Sequence, residues 1–221
     1  MEKTAILVDG GFYTKRANYL WGSKTPEDRA KELVTYCMNH LQDKNTDRQL
    51  YRIFYYDCPP LNKKMHHPLT NNFIDFGKSD LYMWMTAFLD ELRKKRKFAL
   101  RLGQLVEGNI NYTLKANIVK KLCNGTLNIS DLKENDFTLN ISQKGVDMKI
   151  GLDISSMAHK NQVSQIVLIS GDSDFVPAAK HARREGVDFI LDPMHATIRP
   201  DLQEHIDGLK TYAPKIPKAS K

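Results

Sequence analysis

The sequence predicts an α/β domain with a mainly parallel central sheet, and two observations carry that prediction. Ile166-Val-Leu-Ile169 is an unbroken apolar run, and a strand without polar alternation is one covered on both faces, as in a parallel sheet under helices. The run gives way at once to Ser170 and Gly171, then to Asp172, Ser173 and Asp174, and then to Phe175, Ala178, Ala179 and Ala182 at helical spacing until Gly186. A strand that passes into a helix through a tight turn is the repeating unit of such folds. The start of the chain repeats the pattern: Thr4-Ala-Ile-Leu-Val8 ends in Asp9, Gly10 and Gly11 before a helical run through Phe12, Ala17, Tyr19, Leu20 and Trp21.

The elements between these two units follow in order. Pro26 to Asp43 reads as an amphipathic helix, with Pro26 and Glu27 at its start and Ala30, Leu33, Val34, Cys37, Met38 and Leu41 on its buried stripe. Leu50 to Tyr56 is the second strand, ended by Asp57 and broken by Cys58-Pro-Pro60. Leu61 to Gly77 shows no periodicity and carries Lys63, Lys64, His66 and His67. It reads as a long, mobile, basic loop, with the adjacent histidines at the surface rather than on a metal. Leu81 to Arg96 is a helix with Leu81, Met85, Phe88, Leu89 and Leu92 on one face, and Phe98 to Val106 alternates with period two. That alternation predicts a strand with one solvated face, and an antiparallel neighbour would allow it.

Asn109 to Phe137 reads as an insertion or lid around a helix through Leu114, Ile118, Val119 and Leu122, and Thr138 to Ser142 as a short strand or loop. A helix begins near Asp147, with Ile150, Ile154, Met157 and Ala158 facing the core. Asp147, Ile150 and Ile154 stand at i, i+3 and i+7, which aims this carboxylate at the same interior. Asp153 falls about 120° away, on a flank. Val187 to Leu191 is a further strand and Ile198 to Leu209 a terminal helix. Residues 1–212 are expected to form one domain, with insertions at 58–80 and 107–140, followed by a frayed basic tail at 213–221.

A chain of 221 residues is long enough for one large α/β domain that buries roughly 70% of its unfolded surface. Three widely spaced cysteines without a CxxC pair predict reduced thiols in a cytoplasmic protein, and argue against a zinc knuckle or a disulfide framework. No apolar run reaches the length of a membrane span and the first residues lead straight into a strand, so neither membrane nor signal segment is expected. The net charge of +7 favours an anionic partner. The run Arg93-Lys-Lys-Arg-Lys97 has two readings. It complements the dipole of the helix it ends, or it contacts phosphates.

Three separated segments bring acids to one edge of the predicted sheet: Asp9, Asp147, and the pair Asp172 and Asp174. In open α/β sheets that edge, beyond the carboxyl ends of the strands, is where ligands bind. Any one of these could be a turn or N-cap residue. A helix has a single N-cap, however, so two Asp in three residues exceed what capping requires. Two charges about 4 Å apart repel by about 4 kcal/mol at an effective dielectric of 20, and a divalent cation removes the conflict. Carboxylate oxygens suit Mg²⁺ or Mn²⁺, ions that activate water and stabilise in-line displacement at phosphorus. The chain has no GxGxxG or GxxxxGK[ST] phosphate loop. It also lacks a Ser-His-Asp order or a nucleophilic Cys site. Gly11 stands where an aspartyl phosphatase would need its second Asp.

The motifs Leu-Val-Asp9-Gly-Gly, Lys144-Gly-Val-Asp147 and Leu-Ile-Ser-Gly-Asp172-Ser-Asp174-Phe, in that order, resemble the NYN-domain family of PIN-like nucleases, particularly its bacterial LabA-like branch. The resemblance implies a three-layer α/β/α sandwich and a metal-dependent ribonuclease, expected to be an endoribonuclease. It implies Asp9, Asp147, Asp172 and Asp174 as the catalytic and metal-binding acids, Mg²⁺ or Mn²⁺ as cofactor, and Ser170 as a residue that orients an acid or contacts phosphate. Further candidate substrate contacts are Ser173, Lys144, Arg93, Lys94, Lys95 and Arg96. RNA is the expected partner, with DNA and a homo-oligomer left open. Many relatives carry an Asn soon after the first Asp, where this chain has Gly-Gly-Phe-Tyr. The alternative from another class is a nucleic-acid-binding regulatory module of the same fold with little or no nuclease activity.

Overall fold

In the computed structural model, residues 2–42, 47–106, 108 and 110–214 are described. The predicted helix end at Asp43, the start of the predicted 109–137 region and tail residues 215–221 lie outside them. Strand β1 (Glu2–Asp9) leads into α1 (Gly10–Trp21) and α2 (Pro26–Asn39) and then β2 (Arg48–Asp57). Thr25 caps α2 by accepting from the Asp28 amide at 3.2 Å, with Pro26 in the first turn where no amide is needed. A hairpin of β3 (Lys64–His66) and β4 (Phe73–Asp75) precedes α3 (Asp80–Arg93) and β5 (Phe98–Leu102). A second excursion holds β6 (Gln104–Leu105), β7 (Asn111–Leu114), α4 (Ala116–Cys123), β8 (Phe137–Asn140) and β9 (Gln143–Lys144). The chain then returns through α5 (Val146–His159), β10 (Gln165–Ile169), α6 (Val176–Arg184), β11 (Asp188–Asp192), α7 (Pro200–Gln203) and β12 (Gly208–Leu209).

Six strands form one parallel sheet in the order β12-β11-β10-β1-β2-β5. Its layers follow from the two-residue period of a strand. Ala5 and Leu7 of β1, Phe54 and Tyr56 of β2, and Ile166 and Leu168 of β10 pack against α5 and α6. Ile6 and Val8, Ile53 and Tyr55, and Val167 and Ile169 pack against α1, α2 and α3 on the other face. The result is the expected three-layer α/β/α sandwich. Because all six strands run the same way, Asp9, Asp57, Ile169 and Asp192 end at one edge of it.

Several expectations are corrected. Phe98–Leu102 is a parallel edge strand against β2, and the alternation beyond it belongs to β6, which turns away to pair antiparallel with β9. Leu61 to Gly77 is not a structureless loop but contains the β3–β4 hairpin. His66 is exposed as expected, whereas His67 is buried, with its ring edge-on to Tyr112 and Phe137. That contact ties the first excursion to the second. The terminal helix shrinks to Pro200–Gln203, and Gly208–Leu209 forms the far edge strand instead. No helix among the described residues is long and apolar enough to cross a membrane.

Candidate active site at the carboxyl edge

The side chain of Asp9 is set by strand parity. Ala5, Leu7 and Asp9 share the face of β1 that looks toward α5, and Ile166, Leu168 and Ser170 share the same face one strand over. With Val8 level with Ile169, Asp9 and Ser170 come next to each other. The Ser170 hydroxyl, fully buried, donates to Asp9 Oδ2 at 3.1 Å. Asp9 is also the N-cap of α1, its Oδ1 accepting from the Phe12 amide at 3.0 Å. Ser170 Oγ accepts in turn from the Asp172 amide at 3.3 Å, and Asp172 Oδ1 accepts from the Asp174 amide at 3.0 Å. One chain of hydrogen bonds therefore links the first strand unit to the β10–α6 turn.

Asp147 enters from α5, whose first turn begins after Gly145 in the left-handed region at φ 85°, a conformation glycine adopts without steric cost. Ile150, Ile154, Met157 and Ala158 are buried as the periodicity predicts, but Asp147 itself is exposed. The stripe fixes the direction of the side chain, while its place in the first turn lifts it past the sheet edge into solvent. Asp172 and Asp174 are exposed as well. Asp153 lies on the flank, accepting from the Tyr56 hydroxyl at 2.8 Å and from Arg101 at 3.0 Å.

The four acids act on one another electrostatically. Burial pushes the Asp9 carboxyl above its ordinary range, the Phe12 amide and Ser170 pull against that, and the charges of Asp147 and Asp172 push it higher. Asp147 is raised by desolvation and then by Asp172 and Asp174. The charged groups that shift these two are carboxylates. Asp57, unassigned by the sequence reading, is a fifth acid nearby. It is raised by burial and by the charge of Asp9, and held down by the Cys58 amide at 2.7 Å and the Tyr55 hydroxyl at 3.1 Å. It belongs to the opposite face of β2, with Ile53 and Tyr55. The signal for it was present: β2 ends in an acid just as β1 does.

Gly10 lets these two strand ends sit side by side. A Cβ there would lie 2.6 Å from Asp57 Oδ2 and 2.6 Å from the Tyr55 hydroxyl oxygen, whereas one at Gly11 would meet only Asp9 Oδ1 at 3.7 Å. Gly10→Ala is thus expected to lower unfolding free energy by about 1–3 kcal/mol, the usual cost of overpacking, and Gly11→Ala to leave it nearly unchanged. Urea melts of the two variants beside wild type check this.

The remaining predicted contacts divide by position. Ser173 is half-buried beside the acids, and Lys144 is exposed in β9, three residues before Asp147. Arg93, Lys94, Lys95 and Arg96 precede the start of β5 and so lie at the amino edge of the sheet, one strand length, about 16 Å, from the acidic edge. Arg93 is ion-paired with Asp90, and Lys94 with Glu91 at 2.6 Å.

The donor set fits a hard divalent cation in charge and chemistry, since oxygen ligands predominate and negative charge is in excess. Among the described residues, no three His, Cys, Asp or Glu side chains converge on a point from which all could ligate one ion. An ion that keeps several waters needs only one or two direct carboxylates, so the set fits such an ion better than a fully protein-ligated one.

A parallel α/β/α sandwich with acids gathered at the carboxyl edge is the architecture of a PIN-like nuclease. The NYN domain model matches residues 77–204, and the chain belongs to the NYN domain family of that superfamily. The match includes Asp147, Asp172 and Asp174 and begins after Asp9. No curated protein matches. Among solved structures, a protein of unknown function, VPA0982 from Vibrio parahaemolyticus RIMD 2210633, is similar over 94% of this chain and 91% of that one, at 15% identity and a TM-score of 0.46.

Proposed function

We propose that the protein is a divalent-metal-dependent ribonuclease of the LabA-like branch, cutting RNA internally, with Asp9, Asp147, Asp172 and Asp174 as its acids and Mg²⁺ or Mn²⁺ as cofactor. The observation that carries this reading is that acids from separate segments share one edge: the Ser170 hydroxyl donates to Asp9 and accepts from the Asp172 amide, and the carboxyls of Asp9 and Asp147, raised first by burial, are raised further by their carboxylate neighbours. A fold that merely needed caps would gain nothing from that arrangement. When bound, a divalent ion activates water and offsets charge developing on the phosphoryl oxygens. The chain's own residues orient the site. Ser170 and the Phe12 amide each hold one oxygen of Asp9, which fixes the carboxylate plane. Asp147, Asp172 and Asp174 present their charge from the solvent side, where a phosphodiester can approach. The basic excess of the chain draws a polyanion toward this acidic edge.

A second reading, a nucleic-acid-binding regulatory module with little cleavage, is favoured by one observation, the lack of convergence of three ligands among the described residues. Digestion of labelled single-stranded RNA and DNA side by side, in Mg²⁺ or Mn²⁺ and in EDTA, separates the two. The nuclease reading expects internal RNA cuts only in the metal lanes. Cleavage that survives chelation would remove the metal from it, and salt-sensitive RNA binding without cleavage would select the regulatory module.

A further inference from the structure

Beside the acidic edge, a groove of about 1270 Å³ lies between α3 and the segments that follow β2 and the edge strand β5. One wall is a single stripe of α3, Tyr82, Thr86, Leu89 and Arg93, at i, i+4, i+7 and i+11. Leu102, Gly103 and Leu105, from the end of β5 onward, and Pro59, Pro60 and Leu61, after β2, complete much of the lining. We propose that this groove holds about three to five nucleotides of single-stranded RNA on one side of the scissile phosphate. The identity of that phosphate rests on the nuclease reading above; the groove's ligand chemistry does not.

Three observations carry the proposal. First, the groove adjoins the acidic edge at Gly103. A Cβ on Gly103 would lie 2.6 Å from the Lys144 carbonyl oxygen, 2.9 Å from Val146 Cγ2 and 3.0 Å from Cys58 Sγ. The wall at Gly103 therefore touches both the segment leading to Asp147 and the residue after Asp57. Second, the charge suits a phosphate chain. Lys63, Lys64 and Arg93 line the groove, and among the described residues no Asp or Glu does. The ion pair of Arg93 with Asp90 is exposed, and such a pair exchanges readily for a phosphate; the ammonium of Lys64 is exposed too, 3.9 Å from a largely buried Asp75. Third, the lining is amphipathic in the way single strands require. Tyr82 offers a ring, half-buried and set on a first turn whose amide is capped by Ser79 at 3.2 Å, among leucine and proline side chains.

Base stacking on such a ring is tolerant of sequence. A duplex keeps its base faces inside the helix and cannot use the ring in this way. The stripe from Tyr82 to Arg93 is about 17 Å long at the helical rise, and a stacked strand advances about 3.4 Å per nucleotide or more when stretched. That sets the number of nucleotides.

Fluorescence anisotropy with a labelled single-stranded RNA of about twelve nucleotides, in EDTA so that nothing is cut, tests the groove. Tyr82→Leu and Arg93→Gln are each expected to weaken binding about tenfold, while Tyr82→Phe, which keeps the ring, binds like wild type. Wild-type affinity in both Tyr82→Leu and Arg93→Gln overturns the proposal. So does equal affinity of wild type for duplex RNA, or tighter binding of single-stranded DNA than of RNA. If wild type cuts no RNA in Mn²⁺ yet Tyr82→Leu still loses affinity, the nuclease reading fails and the groove stands.

Discussion

Asp9→Asn is expected to lower RNA cleavage by about 10²- to 10³-fold or more, and in metal-free buffer to melt above wild type. Asn caps a helix as well as Asp does, and its side-chain oxygen can keep the bond from the Phe12 amide. The cap is kept, and what disappears is one buried negative charge together with the acceptor of the Ser170 hydroxyl, which must turn to accept from the Asn side-chain amide instead. Asp9 is raised chiefly by desolvation and further by Asp147 and Asp172, so its ionised form is less favourable in the folded chain than in the unfolded one. For a carboxyl raised on folding, the destabilisation is complete above the folded value and fades as pH falls from there toward the ordinary value of 3.8. The advantage of Asp9→Asn should accordingly be largest near neutral pH and shrink on acidification through that window. Melting curves of both proteins from neutral to acid pH measure the gap. A variant that melts below wild type at neutral pH, or a gap indifferent to pH, would remove the electrostatic account of Asp9. Full cleavage by the purified variant would place the chemistry elsewhere.

The strand-ending acids show how far the sequence reaches. β1, β2 and β11 all end in Asp, at Asp9, Asp57 and Asp192. Counting residues along each strand separates them, because only Asp9 falls on the face toward α5, from which Asp147 comes. Asp192 falls on the other face. There it accepts from Tyr36 at 2.5 Å, from Thr211 at 2.7 Å and from the Met194 amide at 2.8 Å, and pairs with His40 at 2.8 Å, entirely buried. Four partners make it a structural tie between α2 and the segment after β12. The main strands and helices were legible because runs of four or more apolar residues and sustained helical stripes report burial directly. Strands of two or three residues such as β3, β6 and β9 are too short to show a period; β3 exists through its hairpin partner, and β6 and β9 through each other, about forty residues apart.

Strand direction mattered most. Had Phe98 begun an antiparallel strand, the basic run at 93–97 would stand at the acidic edge. Because β5 is parallel to β2, the run stands at the amino edge, and only a ligand longer than one strand can touch both.

Mn²⁺ at about a hundred times its dissociation constant is expected to stabilise wild type by about 2.7 kcal/mol, which for a chain of this size raises the melting temperature by roughly 5–11 °C. Asp9→Asn and Asp172→Asn should show little of that rise. Both substitutions leave the local backbone bonds in place, since the Asp172 oxygen that accepts from the Asp174 amide has its counterpart in Asn. The comparison therefore isolates charge. Without an ion, the charges of Asp147 and Asp172 act against that of Asp9, and those of Asp172 and Asp174 against that of Asp147. Exposed first-turn aspartates can change rotamer at small cost, so an ion able to attract them need not find its ligands already gathered. EDTA should return wild type to its metal-free midpoint. An equal rise in all three proteins would mean that the ion binds away from this edge, and no rise in any of them would leave four mutually repelling acids without the cation that the nuclease mechanism requires.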